Sequence, residues 1–548
     1  VRRRLRAAGL ALRRHLIDVR PFARALARVR GVTRPGRLAP AGLVTLMAAC
    51  ASPPPVPPAP PTPPPAAFRH VDPNWTRVAP AEAQPRGEWW RAFGEPALDA
   101  LVVRASGAAP EVLLARARVA QARAAARAAD AARAPTLGLQ AGASRQGGPL
   151  VNRAGESGTL LDLGGVAAYE LDLGGRLSAG ARAAALDLRA REALLQSARL
   201  AVQAEVASTW GALRAADAER ALVRDTLRAW RASLALLEQR LAAGSVAELD
   251  VVRMRAEVET VRAELAAVDR ARAELEHALA ALCGESASSF AVAEYAWDAR
   301  PPVVPPGVPS TVLARRPDVA AAQAAVMAAQ ARVGAAEAAW FPSLSLTAAG
   351  GVASSELGEL LRASARAWGL GALLALPILD GGRREAGVAA ARADVELALA
   401  EYHGRILVAF REVEDRLAAI DRLDAQADAQ RAAIEATRRA GALAASRYRS
   451  GLGTQLEVLD AERGALRLQR GALQVRAARW QASVGLVRAL GGGWDTAPAS
   501  VAPAAVVPAP TAGATGARPE TGAQSPSSAA ISASSRATLA ASAAPADW

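Results

Sequence analysis

The sequence predicts a mostly α-helical protein that also carries four membrane-type β-strands, arranged as two similar halves. Three observations predict this. An internal repeat runs through the chain at an offset of 207 residues. Each copy holds short runs in which apolar and polar residues alternate strictly, the period of a strand with two unlike faces. Each copy then continues into helical sequence far longer than a globular helix.

The repeat is anchored by residues with strong backbone preferences. Pro110-Glu111-Val112 matches Pro317-Asp318-Val319, and Pro135-Thr136-Leu137-Gly138-Leu139 matches Pro342-Ser343-Leu344-Ser345-Leu346. Gly174-Gly175-Arg176 meets Gly381-Gly382-Arg383, Leu249-Asp250-Val251 meets Leu456-Glu457-Val458, and Gly244 and Gly284 meet Gly451 and Gly491. The register holds without a gap from Pro110 to Gly284. Residues 68–300 form the first copy and residues 310–495 the second, with a Pro-rich linker at 301–309.

Within each copy the expected order is helix, strand, strand, very long helix, turn, long helix. The first hairpin is placed at 135–173, with Leu137, Leu139, Ala141 and Ala143 on one face and Thr136, Gly138, Gln140 and Ser144 on the other. The second, at 342–379, repeats the pattern with Leu344, Leu346 and Ala348 against Ser343, Ser345 and Thr347. Return strands are expected near Val166–Leu173 and Trp368–Leu379. Strands of about ten residues suit a tilted membrane crossing, although a half-buried soluble hairpin alternates in the same way.

The helices carry a sharper signal. From Gly180 to Ala243 the chain has no Pro and little turn chemistry, which gives a helix of roughly 95 Å. Val223, Leu227, Trp230, Leu234, Leu237 and Leu241 step alternately by four and three. After Gly244-Ser245, Val251, Met254, Val258, Val261, Leu265 and Val268 do the same. This is the seam of a left-handed coiled coil folded back on itself, giving a helical hairpin at 178–284. The second copy repeats it at 385–491 with a seam of smaller residues.

Composition narrows the function. The chain has 548 residues, and its 66 basic residues are all Arg. A phosphate-binding loop with its lysine and a Schiff-base lysine are therefore excluded. Four scattered His and no CxxC or HExxH leave no basis for a metal site, and no nucleophile, base and orienting residue cluster, so neither an enzyme nor a cofactor is expected. The net charge of +14 resembles a nucleic-acid binder, but residues 1–37 supply +11 of it. The remainder is close to neutral, so no nucleic-acid partner is expected.

The front end reads as a processing signal. A basic start, the short apolar run Leu38–Ala49 and small residues before Cys50 describe a secretory leader at 32–49. It resembles a bacterial lipoprotein signal in which Cys50 is lipidated, with Met47 where Leu is usual. Residues 1–31 are expected to be an over-extended gene start, with translation beginning near Val29 or Val32. Residues 50–67 form a stiff Pro-rich tether, and 496–548, rich in Ala, Pro, Ser, Thr and Gly, are expected to be disordered. Cys283 is the only other cysteine, so no intrachain disulfide is expected.

Four membrane-length strands cannot close a barrel, since the smallest outer-membrane barrels have eight. An open sheet in lipid exposes about ten backbone groups per edge at several kcal/mol each, against a folding stability of about 5–15 kcal/mol. If the strands lie in a membrane, several chains must share one barrel.

The landmarks resemble the TolC-like outer membrane factors, and among them the NodT-type lipoproteins of resistance-nodulation-division efflux systems. The stretches that carry the resemblance are Gly87-Glu88-Trp89-Trp90 with Phe93, Tyr169-Glu170-Leu171-Asp172-Leu173, Arg315-Arg316-Pro317-Asp318 and Trp340-Phe341-Pro342-Ser343. They continue through Asp380-Gly381-Gly382-Arg383, Ala409-Phe410-Arg411-Glu412-Val413-Glu414-Asp415, and Tyr448 to Gly451 with Val458-Leu459-Asp460-Ala461. The resemblance implies a homotrimer with a 12-stranded β-barrel continued by an α-helical barrel. It also implies outer-membrane lipid around the barrel, a periplasmic adaptor and an inner-membrane pump as partners. Ala51 after the cysteine agrees with outer-membrane sorting.

The resemblance also assigns roles to residues. Gly244, Ser245, Gly451 and Leu452 become adaptor-contacting tips. Asp250, Glu457 and Asp460 become acidic positions of a periplasmic aperture, which three copies turn into rings of like charge. The family often has Arg four residues before the first acid, where this chain has Gly453. Gly174, Gly175, Gly381 and Gly382 are read as strand-to-helix turns, and Trp340, Phe341 and Trp368 as an interfacial girdle or as helix-end packing. His277 and His403 are read as surface residues. The same fold would serve as the exit tunnel of type I protein secretion, although the lipid anchor and Trp89-Trp90 favour efflux. A soluble coiled-coil scaffold is the alternative of a different class.

Overall fold

The two copies fold alike, and their elements end at equivalent residues. The computed structural model describes residues 55–60, 63–70, 88–147, 157–297, 301–302, 304 and 309–492. Cys50, the leader and the expected disordered tail lie outside the described residues. In chain order the first copy contains α1 (Pro96–Ala108), α2 (Pro110–Ala131), β1 (Thr136–Gly147), β2 (Ser157–Leu171), α3 (Arg176–Ala242) and α4 (Glu248–Leu282). The second contains α5 (Pro309–Arg315), α6 (Pro317–Glu337), β3 (Ser343–Ser354), β4 (Arg366–Ala375), α7 (Arg383–Arg449) and α8 (Gln455–Ala489). Adding the repeat offset to the bounds of α3 and α4 gives those of α7 and α8 exactly.

The long helices α3 and α7 are 67 residues each, about 100 Å at ~1.5 Å per residue. They begin earlier than Gly180 and Glu385, because the strand-to-helix turn itself anchors the first helical turn. Gly175 and Gly382 sit at the N-cap with φ of 73° and 87°. The Asp172 carboxylate accepts the Leu177 and Ser178 amides at 3.0 and 2.7 Å. Asp380 accepts those of Gly382 and Arg384 at 3.1 and 3.2 Å. Gly180 is then carried inside the helix at modest cost.

The strands form one antiparallel sheet in the order β1-β2-β3-β4. β2 is longer than the alternation indicated, starting at Ser157, because its first residues pair with the polar end of β1 (Gly147↔Ser157, Gln146↔Gly158). β4 is shorter, ending at Ala375. Pro377 lacks the amide hydrogen that a paired strand needs, so Ile378 and Leu379 fall outside it.

The helices repeat the order of the sheet. α2 packs on α3, α3 on α6, and α6 on α7, so each strand is continued by its own helix. Farther along, α4 takes its place beside α3 and α8 beside α7. Two close approaches join these halves end to end. A Cβ on Gly284 would lie 2.7 Å from the Ala108 carbonyl oxygen, and one on Gly491 would lie 2.9 Å from that of Arg315. Both glycines also have positive φ, 71° and 90°. Only glycine lets α4 abut α1–α2, and α8 abut α5–α6, at this distance.

The main core surrounds α3 at this level and gathers Trp89, Trp90, Phe93, Trp210, Trp297 and Trp480 with Leu98 and Leu213. The Trp89-Trp90-Phe93 turn is thus a packing element. Cys283 is a buried free thiol in the same core.

Candidate functional site

Register in the sheet sorts its side chains onto two unlike faces. Leu137, Leu139 and Ala141 share a face with Ala167, Gly165 and Leu163, their partners on β2. Across β3 and β4 the same face carries Leu344, Leu346 and Ala348, then Leu374, Ala372 and Leu370. The opposite face carries Gln140, Asp162, Glu170, Ser345 and Thr347 with small residues and the apolar Leu160, Val166 and Leu373. The apolar face is bare, with Leu139 85% and Trp368 81% exposed. An uncovered apolar sheet of this extent needs lipid or protein against it. Among the described residues, β1 and β4 pair only inward, so both outer edges offer unpaired backbone groups.

No helix among the described residues is long and apolar enough to cross a membrane. Trp368 lies within β4, on the apolar face opposite Gly350. Trp340 and Phe341 sit at the entry to β3, and the Arg384 guanidinium lies 4.4 Å over the Trp340 ring. Trp340 thus lies against the first turn of α7 while half of it stays exposed.

At the far end stand the two tips. Gly244 and Gly451 have φ of 71° and 72°. Each closes its helix with the same pattern, Ser245 and Leu452 donating their amides to the Arg240 and Arg447 carbonyls at 2.9 and 2.8 Å. All four residues are exposed, Leu452 at 73%. Asp250 and Glu457 are both third residues of their helices, where a carboxylate faces the positive end of the helix dipole. Glu457 is further drawn into a cap, since its amide donates to Thr454 Oγ1 at 3.3 Å. Its side chain lies close over Gly453.

Asp460 is not free. It accepts from Arg463 at 3.2 Å, and Arg463 also donates to Glu257 of the first hairpin. Asp250 instead lines a cleft of about 670 Å³ between the tips, together with Arg240, Arg253 and Tyr448. Arg240 donates to the Tyr448 hydroxyl at 3.4 Å and so joins the two hairpins. Arg240 and Arg463 thus tie the two hairpins together near Gly453. Arg470 adds a third, reaching Glu219 at 2.7 Å and Glu264 at 3.0 Å. Sequence periodicity missed these, because each joins residues more than two hundred positions apart.

Two buried charge clusters were also invisible in the sequence. Arg316, the second Arg of Arg315-Arg316-Pro317-Asp318, donates to Asp318 at 3.0 and 2.8 Å, to Glu412 at 2.7 Å and to the Ala489 carbonyl at 3.0 Å. Burial works against the Asp318 charge. The Arg316 bonds and charge, with the Val319 amide, outweigh it and hold the carboxyl below the usual range. Arg214 is fully buried and lies over the Trp210 and Tyr295 rings at 4.4 and 4.5 Å. Burial pushes its guanidinium down, and burial with a hydrogen bond to Glu95 pushes the Tyr295 phenol up. Arg316 ties the start of α6 to α7 and α8, and Arg214 ties α3 to the segment after α4. His277 is exposed and His403 partly so. Among the described residues no group of His, Cys, Asp and Glu is placed to hold a metal ion.

A sheet with one apolar face and two open edges, set on very long helices in the same order, defines a class: a wall segment of a transmembrane channel. The outer membrane efflux protein family model matches residues 101–285 and 308–492, two spans separated by the repeat offset. The chain belongs to that family, a family of outer-membrane channels rather than enzymes. It is 36% identical over 462 residues to the pyoverdine export outer membrane protein OpmQ of Pseudomonas aeruginosa, covering 82% of this chain and 95% of that one.

Solved structures agree. A crystal structure of a Pseudomonas aeruginosa membrane protein aligns with a TM-score of 0.72 at 33% identity, covering 81% of this chain and 98% of that one. The outer-membrane channel OprN aligns with a TM-score of 0.72 at 30% identity, covering 80% of this chain and 99% of that one. The fold is the TolC-like channel fold. The protein is an outer-membrane efflux protein, and the soluble-scaffold alternative is set aside by the family match.

Proposed function

We propose that three copies of this chain assemble into a passive duct, the outer-membrane exit of a tripartite resistance-nodulation-division efflux pump for small molecules. The observation that carries the reading is the open sheet and its matching helical layer. Leaving β1 and β4 unpaired in hydrocarbon costs several kcal/mol per backbone group, which no single chain of ordinary stability survives. Pairing β1 of one copy with β4 of the next removes both edges, and α2 meets α7 in the same step. Three copies give twelve strands and a continuous helical tunnel. The efflux description of the family supports efflux over type I secretion.

In this reading Cys50 is lipidated in the outer membrane, and Gly244, Ser245, Gly451 and Leu452 meet a periplasmic adaptor, which joins the duct to an inner-membrane pump. Asp250, Glu457 and Asp460 form acidic rings at a cation-sensitive aperture. Detergent-purified protein is expected to have the mass of a trimer and to form pores in planar bilayers. A monomer that stays folded in water without lipid would overturn the proposal. Glu457→Gln and Asp460→Asn together are expected to weaken block by divalent cations, and unchanged block would remove the acidic aperture while leaving the duct.

A further inference from the structure

We infer that the concave side of the helical layer is an arginine-lined passage that favours anionic cargo. The inference rests on the duct reading and names its substrate class. A cavity of about 1100 Å³ is lined by one face of each of α2, α3, α6 and α7, joined by Arg488 of α8. α2 and α7 are the two flanks of the layer, so a cavity that both line lies on the inner side of its curve. Edge-to-edge closure of a curved layer encloses that side, and this face becomes the lumen.

The charges on the face are unbalanced. Six Arg and four carboxylates line it, a net charge of +2 per chain; Arg332 pairs with Asp187, and Arg316 with both Asp318 and Glu412, a triad that keeps one negative charge. Arg118, Arg191, Arg405 and Arg488 are exposed and outside these ion pairs, with Arg405 near enough to Asp318 to help hold that carboxylate charged. The one lining carboxylate without such a pair is Glu401. Copying the chain around a threefold axis turns this surplus into a belt of guanidinium groups. In a cleft with low-dielectric walls, charges of one sign focus the field and raise the local concentration of the opposite ion.

Guanidinium stays protonated at every physiological pH and binds carboxylate, sulfonate or phosphate groups through paired N–H donors. Residues 38–548 carry a net charge of only +3, against +2 on this face alone. Solutes bearing such acidic groups are the cargo class that the belt admits most readily.

The zero-current potential of the full-length protein in planar bilayers under a KCl gradient tests this. Chloride preference is expected at low salt, fading near molar salt, where the screening length falls to about 3 Å. Changing Arg118, Arg191 and Arg405 together to Gln takes the face from +2 to −1 and is expected to bring the potential to zero or past it toward potassium, whereas Glu401→Gln moves it farther toward chloride. Each variant's trimer mass and open conductance verify that it has folded. A conducting wild-type pore that prefers potassium, or a chloride preference untouched by the triple change, overturns the inference and leaves the duct standing. Wild-type protein that forms no pore overturns the duct reading and this inference with it.

Discussion

The first and second helical hairpins have the same length, the same turn and the same register, yet they are held together differently. In the first, Val223, Leu227, Trp230 and Leu237 are buried against Val251, Met254, Val258 and Val261. The counterparts in α7 are Gln430, Ile434, Thr437 and Ala444, and from residue 418 to 458 no residue is fully buried. The second hairpin closes instead through small residues. Positions built on Gly441 and Gly464 would come within 3.8 and 3.7 Å of Ala461 and Thr437. Leu459 and Leu466 of α8 are buried, but in the core of the first hairpin. Equal geometry thus coexists with unequal cohesion. Within one copy, α3–α4 has a continuous apolar core, α8 leans on it, and the far half of α7 has the least apolar area holding it. Motion at the tips is expected to belong to the second hairpin.

Large-to-small changes test that contrast most strongly. Trp230→Ala is expected to destabilise by about 3–5 kcal/mol, in line with buried aromatic truncations. Thr437→Ala, at the equivalent place, is expected to stay within about 0.5 kcal/mol. Thermal unfolding of the two variants would measure the gap, and similar losses would erase the distinction. Hydrogen exchange should run faster in residues 418–449 than in 211–242.

A second difference lies where the helical halves abut. The second copy has Arg316-Pro317-Asp318, and the first has Ala109-Pro110-Glu111 with no such pair. Asp318→Asn leaves the buried Arg316 with Glu412 as its one carboxylate partner beside the Ala489 carbonyl, and is expected to cost up to about 3 kcal/mol. The Asp318 carboxyl is held below its ordinary value, so its contribution is present above the unfolded value of about 3.9 and lost as pH falls through the lower folded one. The wild type should therefore lose stability in acid more steeply than the Asn variant. A parallel pH course would remove the pair from the account.

The smallest effect is expected at the helix starts. Thr454 caps α8 and Ala247 makes no side-chain cap on α4. Thr454→Ala should cost about 1 kcal/mol and Ala247→Ser should gain a comparable amount. Unfolding midpoints that move the same way would show that the tips, not the caps, set local stability.

Much of this was legible in the sequence. The repeat landmarks located all four strands and both hairpins, because Pro, Gly and the seam residues act locally. The alternation of Leu137, Leu139 and Ala141 foretold the apolar face. Ends were less legible: Pro377 cut β4 short, and the Asp172 and Asp380 caps started the long helices early. The ties of Arg463, Arg240 and Arg316, and the arginine belt, depend on which residues helices distant in sequence bring together. No periodicity within one helix encodes that. The acids at 250 and 457 were visible as a pair, but their place at the start of each helix also gives them an ordinary structural role.

The matched spans of α3 and α7 act as a pair of equal calipers. Because an α-helix turns about 100° per residue, losing one residue from either would swing every side chain beyond it away from its neighbour. Only removals that restore the seven-residue rhythm, made in both calipers and their return helices together, preserve the fit. In the proposed duct the reach of the tips can therefore change only in steps of about 10 Å, and an adaptor that met them would have to be built to that measure.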